Sequence, residues 1–276
     1  MKTESREFYY DEDLQLEAYQ FKGIMQPFPN HFHEYYVIGF IEHGQRRLLC
    51  KNVEYHLVAQ DIIIFNPGEN HDCAPLDNEL LDYRALNIPK ETMCSIAKDI
   101  SGVDRLPQFH KNVLKDEEIA TYLHNVHRMI VENSKEFEKE ETLLFLITEL
   151  LDKNSSPYTY HEENHSQELA VVCDYMQLHY REQIRLKQLC DLSSMSSSTL
   201  LRAFTKEKGI TPYRYLEVIR VNKAKELLEK GASVLEASSA SGFFDQSHFT
   251  NFFRTFLGIS PGAYRNIFHQ DKENDL

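Results

Sequence analysis

Polar side chains that can hydrogen-bond to the edges of DNA bases cluster near the end of the chain, in the segment GFFDQSHFTNFFRTFLGISPGAYR (residues 242–265). Asp245 is placed to cap a helix, so the polar residues that follow it would lie in the first turns of that helix. Asn and Gln side chains can pair with adenine, and the N-terminal end of a helix fits the major groove. The segment therefore predicts a DNA-contacting helix, with the candidate residues Gln246, Ser247, His248, Asn251 and Arg254.

This segment contains the second copy of a repeat. TLLRAFTKEKGITPYRYL (199–216) parallels HFTNFFRTFLGISPGAYR (248–265) at an offset of 49 residues. The matched pairs are Leu200 with Phe249, Phe204 with Phe253, Gly209 with Gly258, Pro212 with Pro261, and Tyr215 with Tyr264. A short apolar-patterned helix precedes each copy, at 186–192 and at 234–240. Hairpins of two helices also occur in ordinary helical bundles, but two copies at a fixed spacing are harder to explain in that way.

The elements of one copy predict a helix-turn-helix unit. Ser193 and Ser194 break the first helix, Ser196 can cap the second, Gly209 can end it, and Pro212 can begin the next helix. We therefore expect units at about residues 184–208 and 233–256, joined by a helix over 212–230. The first unit would contact DNA with outward-facing or edge residues, and Arg202 could pair with guanine. Its candidates are Ser197, Ser198, Thr199, Leu201, Arg202 and Lys206.

The same segment, GFFDQSHFTNFFRTFLGISPGAYR, resembles the signature of the AraC/XylS family of transcription regulators, and the resemblance covers roughly residues 168–268. It implies two helix-turn-helix units that contact successive major grooves on one face of the duplex, about one helical turn apart. The chain departs from the family pattern at four positions. Ala237 and Ser238 replace a usual Ile and Ala, Ser194 stands where a turn Gly is common, and Leu201 stands where a polar residue is common.

The N-terminal part of the chain predicts a β-domain. From about Phe8 to Ile88 there are short alternating strands, such as YYVIGFIEHG (35–44) and RRLLCKNVEYHLV (46–58). The apolar run 62–65 ends at an Asn-Pro-Gly turn. These patterns favour an antiparallel barrel or sandwich. Helices are then predicted within 114–131 and over 137–152; the second is apolar on more than one face, so one face could meet a second subunit.

HFHEYYVIGFIEHG (31–44) and DIIIFNPGENH (61–71) resemble the two cupin motifs that begin many AraC-type regulators. This resemblance implies a small β-barrel whose mouth binds an effector, with the following helices forming a dimer. The candidate effector-binding residues are His31, His33, Tyr35, Tyr36, His71 and Arg84. Three of these residues also match the positions at which metal-binding cupins place their ligands: His31, His33 and His71. A bound divalent metal such as Zn²⁺, Fe or Ni²⁺ therefore remains an alternative at this site.

The alternative to an effector domain is a metal-binding cupin, either a metal sensor or a metal-dependent enzyme, fused to a DNA-binding domain. The cupin enzyme pattern has a carboxylate a few residues beyond its HxH. Here Glu34 is adjacent to His33, and Glu42 lies nine residues beyond it. The position that usually opens the second motif with Gly holds Gln60. We therefore expect a regulator that is not an enzyme.

Composition agrees with two domains of different character. Residues 1–165 contain 16 basic and 30 acidic side chains, whereas residues 166–270 contain 13 basic and 10 acidic ones. This asymmetry is a hint that the C-terminal half faces nucleic acid. The five cysteines are scattered without a CxxC, which indicates reduced thiols. The N-terminus lacks the apolar core of a signal peptide and no apolar stretch could span a membrane, so a cytoplasmic location is expected.

Together these observations predict an α+β protein of two domains. Residues 1–152 would form a cupin-like antiparallel β-barrel with flanking helices, for effector binding and dimerisation. Residues 153–166 would be a linker, and residues 167–276 an all-α DNA-binding domain. The predicted function is sequence-specific transcription regulation in response to a small molecule. The expected partners are double-stranded DNA, a small-molecule effector and a second copy of the chain, with RNA polymerase as a further candidate and no membrane.

Overall fold

The structure is a computed structural model that describes residues 4–31, 33, 35–51, 53–77, 79–155, 166–257 and 259–269, without the side chains of 29–31, 166, 257 and 267. Its contacts divide the chain into two units. The first consists of Met1–Lys135 with Lys139–Glu162, and the second of Glu136–Glu138 with Glu163–Leu276. Most of the predicted linker, residues 156–165, lies outside the described residues.

The first unit contains two antiparallel sheets. The strands are β1 (Ser5–Asp11), β2 (Leu16–Ile24), β3 (Phe28–His31), β4 (Tyr36–His43), β5 (Arg46–Cys50), β6 (Val53–Leu57), β7 (Ile62–Phe65), β8 (His71–Pro75), β9 (Leu81–Ile88) and β10 (Val113–Leu114). One sheet has the order β1-β2-β9-β4-β7-β10, and the other the order β3-β8-β5-β6. Every pairing between neighbouring strands is antiparallel, as the sequence predicted.

The two sheets share one apolar core. Buried side chains of the first sheet, such as Val37 and Ile63, pack in the same cluster as Leu48 and Leu57 of the second sheet. Alternate residues of strands such as β9, with Leu81, Tyr83 and Ala85, enter this cluster, because successive side chains of a strand point to opposite faces. The strand β7, by contrast, is buried at all four residues, which explains why its sequence is a continuous apolar run.

Three helices follow strand β9, with β10 between the first and the second: α1 (Lys90–Ser101), α2 (Glu117–Val131) and α3 (Glu138–Asn154). The helices predicted within 114–131 and over 137–152 are confirmed within two or three residues at each end. Asp116 caps α2 by accepting hydrogen bonds from the backbone N–H groups of Glu118 and Ile119. Helix α1 was not predicted from the sequence, and its first residue follows Pro89, which makes no side-chain cap.

The second unit is helical throughout its described residues. Its helices are α4 (Ser166–His179), α5 (Leu186–Ser193), α6 (Ser197–Lys208), α7 (Pro212–Glu229), α8 (Val234–Ala240), α9 (Gln246–Leu257) and α10 (Pro261–His269). The helix pairs α5–α6 and α8–α9 are the two predicted helix-turn-helix units, and α7 is the predicted joining helix. Among the described residues no helix is long and apolar enough to span a membrane.

The predicted caps of these helices are present. Ser196 accepts a hydrogen bond from the N–H of Thr199 at 3.3 Å, and Asp245 accepts one from the N–H of His248 at 2.7 Å. Gly209 ends α6 with φ of 74°, a left-handed conformation that suits glycine. The second repeat copy packs Phe249 and Phe253 into a core with residues of α7.

Candidate functional site

A cavity of about 280 Å³ lies in the core of the first unit. Apolar and aromatic side chains form most of its wall. They are Phe8, Tyr19, Phe21, Phe28, Tyr35, Val37, Ile41, Leu48, Leu57, Ile63, Phe65, Leu81 and Tyr83. Arg6, His33, His71, Cys73 and Asn87 supply the remaining, more polar part. An apolar cavity with a few placed polar groups is the usual form of a small-molecule site, and this volume is near the lower end of the range.

The polar groups of the cavity lie on neighbouring strands. The hydroxyls of Tyr19 on β2 and Tyr83 on β9 are 3.4 Å apart, and burial raises the pKa of both phenols, so both stay protonated. Four residues after Tyr83 on the same strand, Asn87 Nδ2 donates a hydrogen bond to Glu17 Oε1 on β2 at 2.7 Å. Gly39 on β4 leaves room for Tyr83, since a Cβ at this position would lie 2.4 Å from the phenol oxygen.

Three of the predicted effector-site residues line the cavity, namely His33, Tyr35 and His71, and their contact with an effector stays a prediction. Two predictions are wrong. Tyr36 points to the other face of β4, where its hydroxyl donates to the carbonyl oxygen of Pro107 at 2.7 Å. Arg84 likewise lies on the outer face of β9 and pairs with Glu42, Nε to Oε1, at 2.9 Å. Both errors have the same cause: successive side chains of a strand point to opposite faces, and each of these residues is next to a cavity residue in the sequence. The side chain of His31 lies outside the described residues.

The residues that β2 and β9 contribute to the cavity were not predicted from the sequence; they are Tyr19, Phe21, Leu81, Tyr83 and Asn87. The alternation in YRALN (83–87) was the available signal, because it places Tyr83, Ala85 and Asn87 on one face. Which face is inward depends on the pairing of β9 between β2 and β4, and these partners are distant in the sequence.

Two of the three candidate metal ligands come together. The rings of His33 and His71 have centroids 5.2 Å apart, and His71 also stacks on Phe65 at 3.7 Å. His71 Nδ1 is 2.9 Å from the carbonyl oxygen of Glu69, so this nitrogen carries the proton of that hydrogen bond. Within the described part of the chain, no group of three or more His, Cys, Asp or Glu residues has an arrangement that could hold a metal ion. The metal hypothesis, which includes His31, stays a prediction.

A buried carboxylate fixes the loop that positions His71. Glu69 accepts hydrogen bonds from the backbone and side chain of Asn66 at 3.0 and 2.9 Å, and from Asn112 Nδ2 at 2.8 Å. Lys51 Nζ lies 2.8 Å from the same carboxylate. Burial alone would raise the pKa of Glu69, but these donors outweigh it and lower the pKa. The Asn-Pro-Gly turn is therefore held by charge-assisted hydrogen bonds.

In the second unit, α9 exposes a polar surface at its N-terminal end. Gln246, Ser247, Asn251 and Arg254 are all exposed to solvent. Spacings of three and four residues place Ser247, Asn251 and Arg254 on one side of the helix. This surface agrees with the DNA-contacting surface that the sequence predicted, and the contact itself stays a prediction.

His248 differs from its neighbours on α9. Its Nε2 is 3.2 Å from Oε1 of Glu217, a buried residue of α7. The hydrogen bond with Glu217 is the main cause that raises the pKa of His248 above its ordinary value. The imidazole thus joins α9 to the joining helix α7. Its side chain is 32% exposed, and its contact with DNA stays a prediction.

The first helix-turn-helix unit agrees with the predictions only in part. Lys206 is exposed, and Ser197, Thr199 and Arg202 are partly exposed. Two predictions are wrong, because both side chains are buried: Ser198 is only 2% exposed, and Leu201, a core residue, only 1%. Three apolar side chains of α6 are buried: Leu200, Leu201 and Phe204. Because two of them are adjacent in sequence, the buried face of α6 is wider than a single row of residues four apart.

Comparisons with known proteins match both units. Residues 189–267 match a helix-turn-helix domain family, and residues 14–147 match the AraC-like ligand binding domain family. The uncharacterized HTH-type transcriptional regulator YbfI of Bacillus subtilis is 44% identical over 250 residues, which is 90% of either chain. The HTH-type transcriptional activator RhaS of Escherichia coli is 25% identical over 249 residues, 86% of this chain and 87% of RhaS.

Among solved structures, unsaturated fatty acid bound ToxT from Vibrio cholerae is 14% identical, with a TM-score of 0.37 over 98% of this chain and 99% of ToxT. The identity to YbfI extends over both units. The ligand-binding family match spans strands β2 to β10, which form most of the cavity, and the helix-turn-helix match spans α6 and α9. The chain therefore belongs to the AraC/XylS family and is a DNA-binding transcription regulator with an N-terminal ligand-binding domain.

Proposed function

We propose that this regulator controls transcription in response to a small molecule that binds in the cavity between the two sheets. The observation that carries the proposal is the cavity itself, about 280 Å³ with a largely apolar wall and a few polar groups. A ligand that binds one arrangement of the chain better than another shifts the population of that arrangement, and DNA affinity changes with it. The proposal includes no catalytic step and places the chain in the cytoplasm with its DNA.

We propose α9 as the main base-contacting element. Gln246 and Asn251 carry amides that can pair with adenine, and Arg254 can contact a phosphate or a guanine. In the first unit Arg202 and Lys206 are the cationic candidates, with Ser197 and Thr199 near the helix start. Cationic contacts to phosphates release counterions, so binding should weaken as salt rises.

A homodimer is the assembly we propose, with RNA polymerase as a further partner of the DNA-bound form. The rings of Tyr122 on α2 and Phe145 on α3 stack at 5.8 Å, and both side chains remain partly exposed. Such an aromatic pair is suited to a protein interface. Sedimentation velocity measures the oligomeric state of the wild-type chain and of a Phe145→Glu variant. A monomeric wild-type chain at micromolar concentration would contradict the proposed homodimer.

The proposed function is tested by combining a ligand screen with DNA binding. The full chain is screened for thermal stabilisation by metabolites, and each hit is added to a binding titration on the DNA upstream of its own gene. We expect at least one hit to change DNA affinity severalfold. Cys73→Phe, which fills the cavity, should abolish the response, whereas Cys94→Phe on α1, outside the cavity wall, should keep it. A response that persists in Cys73→Phe would contradict a site in the cavity.

A further inference from the structure

We infer that Phe244, in the turn between α8 and α9, makes an apolar contact with the 5-methyl group of a thymine in the DNA site. This inference rests on the proposed role of α9 as the main base-contacting element and adds a residue to it. Three observations support it: the turn is one residue longer than its counterpart in the first unit, the extra residue has no place in the core, and its side chain is exposed beside the first residues of α9.

The turn of the second helix-turn-helix unit contains one more residue than the turn of the first. In both units a serine at the end of the first helix donates its hydroxyl to the carbonyl oxygens three and four residues earlier: Ser193 in α5 and Ser241 after α8. These two serines are 48 residues apart, whereas the capping residues Ser196 and Asp245 are 49 residues apart. The second turn therefore has an insertion of one residue.

The inserted residue is Phe244. Met195 and Phe243 occupy equivalent places in the two turns, because the backbone N–H of each donates to the carbonyl oxygen five residues earlier, at 3.2 Å, and both side chains are buried. Met195 is followed directly by the cap Ser196, whereas Phe244 separates Phe243 from the cap Asp245. Phe244 thus has no counterpart in the first unit.

The core of the second unit does not use the Phe244 ring. A hydrophobic residue directly before a helix cap often packs on the fourth residue of the helix, which in α9 is Phe249. Here Phe243, two residues before the cap, has that role: it is 5% exposed, and its ring centroid lies 5.0 Å from that of Phe249. The side chain of Phe244 is 76% exposed. Packing therefore gives no reason for a large apolar residue at this position.

The backbone of the turn is fixed on both sides of Phe244. Gly242 has a φ of 87°, in the left-handed region, and a Cβ there would lie 2.5 Å from the carbonyl oxygen of Tyr180. On the other side, Asp245 accepts a hydrogen bond from the N–H of His248 at 2.7 Å. Because the turn is already ordered, a contact made by Phe244 would cost little further ordering.

Phe244 lies at the end of α9 that a helix-turn-helix unit would bring to the major groove. Three exposed polar residues follow it: Asp245, Gln246 and Ser247. Hydroxyl and amide groups can hydrogen-bond to base edges, but a phenyl ring cannot. The apolar group that base edges offer in this groove is the methyl group of thymine, and Phe is suited to contact it. Burial of the exposed ring against this methyl group would favour binding, because it removes apolar surface from water.

The test uses a duplex that the full wild-type chain selects from a random pool, with each thymine replaced in turn by deoxyuridine. This exchange removes only the 5-methyl group and keeps the pairing with adenine. In anisotropy titrations we expect one position, or two adjacent ones, at which the exchange weakens wild-type binding about fourfold, the scale of burying one methyl group. Phe244→Ala should weaken binding to the unmodified duplex about tenfold and make that position insensitive to the exchange. Phe268→Ala, which removes an exposed ring from α10, should keep the affinity and the sensitivity of the wild type.

A wild-type chain that is insensitive to every exchange would overturn the inference, as would a Phe244→Ala variant that keeps the sensitivity of the wild type. Unchanged DNA binding by Phe244→Ala with reduced transcription in vitro would also overturn it, because the ring would then contact a protein partner. If Phe244→Ala does not fold, Phe244→Gln, which is polar and of similar length, should lose the same sensitivity. Retained sensitivity in that variant would overturn the inference.

The Asn251→Ala variant separates failure of the inference from failure of the proposed function. If Phe244→Ala binds as the wild type does and Asn251→Ala loses base recognition, the inference fails and the proposed role of α9 stands. If both variants bind as the wild type does, the proposed role of α9 fails and the inference fails with it. If the chain selects no duplex, the proposed function itself fails.

Discussion

Adjacent residues of α6 have different roles. Leu201 is buried in the core of the first helix-turn-helix unit, whereas Arg202 is partly exposed. We expect Leu201→Ala to lower the free energy of unfolding by about 2–5 kcal/mol, as buried Leu truncations do. Arg202→Ala should instead lower the thermal midpoint far less than Leu201→Ala does, and weaken DNA binding by about tenfold or more, a loss of roughly 1–3 kcal/mol. Thermal unfolding and fluorescence anisotropy on both variants separate the two effects. Equal loss of stability in both would contradict this assignment.

Asn251 offers a matched test of base recognition. Its amide is exposed on α9, and we expect Asn251→Ala to weaken binding to the cognate site by about 1–3 kcal/mol while non-specific binding changes little. Gln167→Ala removes another exposed amide, on α4, and should leave both kinds of binding unchanged. Anisotropy titrations with cognate and scrambled duplexes measure the ratio. An equal loss on both duplexes would assign Asn251 to backbone contact only.

At the scale of elements, the contact of α9 with α7 should make stability depend on pH. Because the Glu217 hydrogen bond raises the pKa of His248 in the folded state, protonated His248 stabilises the fold. This contribution is present in full below the unfolded pKa of about 6.5 and is lost as pH rises through the folded value. The midpoint of the second unit should therefore fall between pH 6 and 8.5 more steeply in the wild type than in His248→Gln. Identical slopes would contradict the contact.

Helix α2 should give the opposite dependence in the first unit. Burial is the main cause that lowers the pKa of His127 to about 4, and its Nε2 donates to the carbonyl oxygen of Tyr19 at 2.9 Å. The unfolded chain takes up a proton near pH 6.5, so stability is lost as pH falls from about 6.5 towards 4, by up to about 1.4 kcal/mol per pH unit. Calorimetry between pH 7 and 5 should show a falling midpoint that becomes flatter in His127→Gln. A flat wild-type curve would contradict the burial of a neutral imidazole.

The elements differ in how far the sequence predicted them. The caps at Ser196, Asp245 and Gly209 depend on local chemistry, and all three were predicted correctly. The orientations of Tyr36 and Arg84 were predicted incorrectly. Strand alternation fixes only which residues share a face, and the neighbouring strands decide which face points inward. For the same reason most of the cavity wall could not be predicted, because the wall lies on strands that are distant in the sequence and meet only in the folded sheet.

At the scale of the whole molecule, the acidic and basic parts of the chain coincide with different functions. The acidic excess lies in residues 1–165, which contain the cavity, and residues 166–270 have a small basic excess. The net charge of −13 therefore says little about DNA affinity, for which we propose the few cations of α6 and α9 as the contacts. The two pH effects also combine here: acidification should destabilise the first unit and stabilise the contact of α9 with α7 in the second.

The pairing of β2 with β9 joins Glu17 to Asn87 across 70 residues, and it brings Tyr19 and Tyr83 together in the cavity wall. Such distant pairing slows folding, whereas the described helices of the second unit pack mainly on helices close in sequence. After dilution from urea we expect DNA binding to recover faster than the ligand response, as stopped-flow anisotropy with and without ligand would show. Simultaneous recovery would contradict this order. A newly folded molecule would thus pass through a period in which it occupies its operator without yet being able to sense its effector.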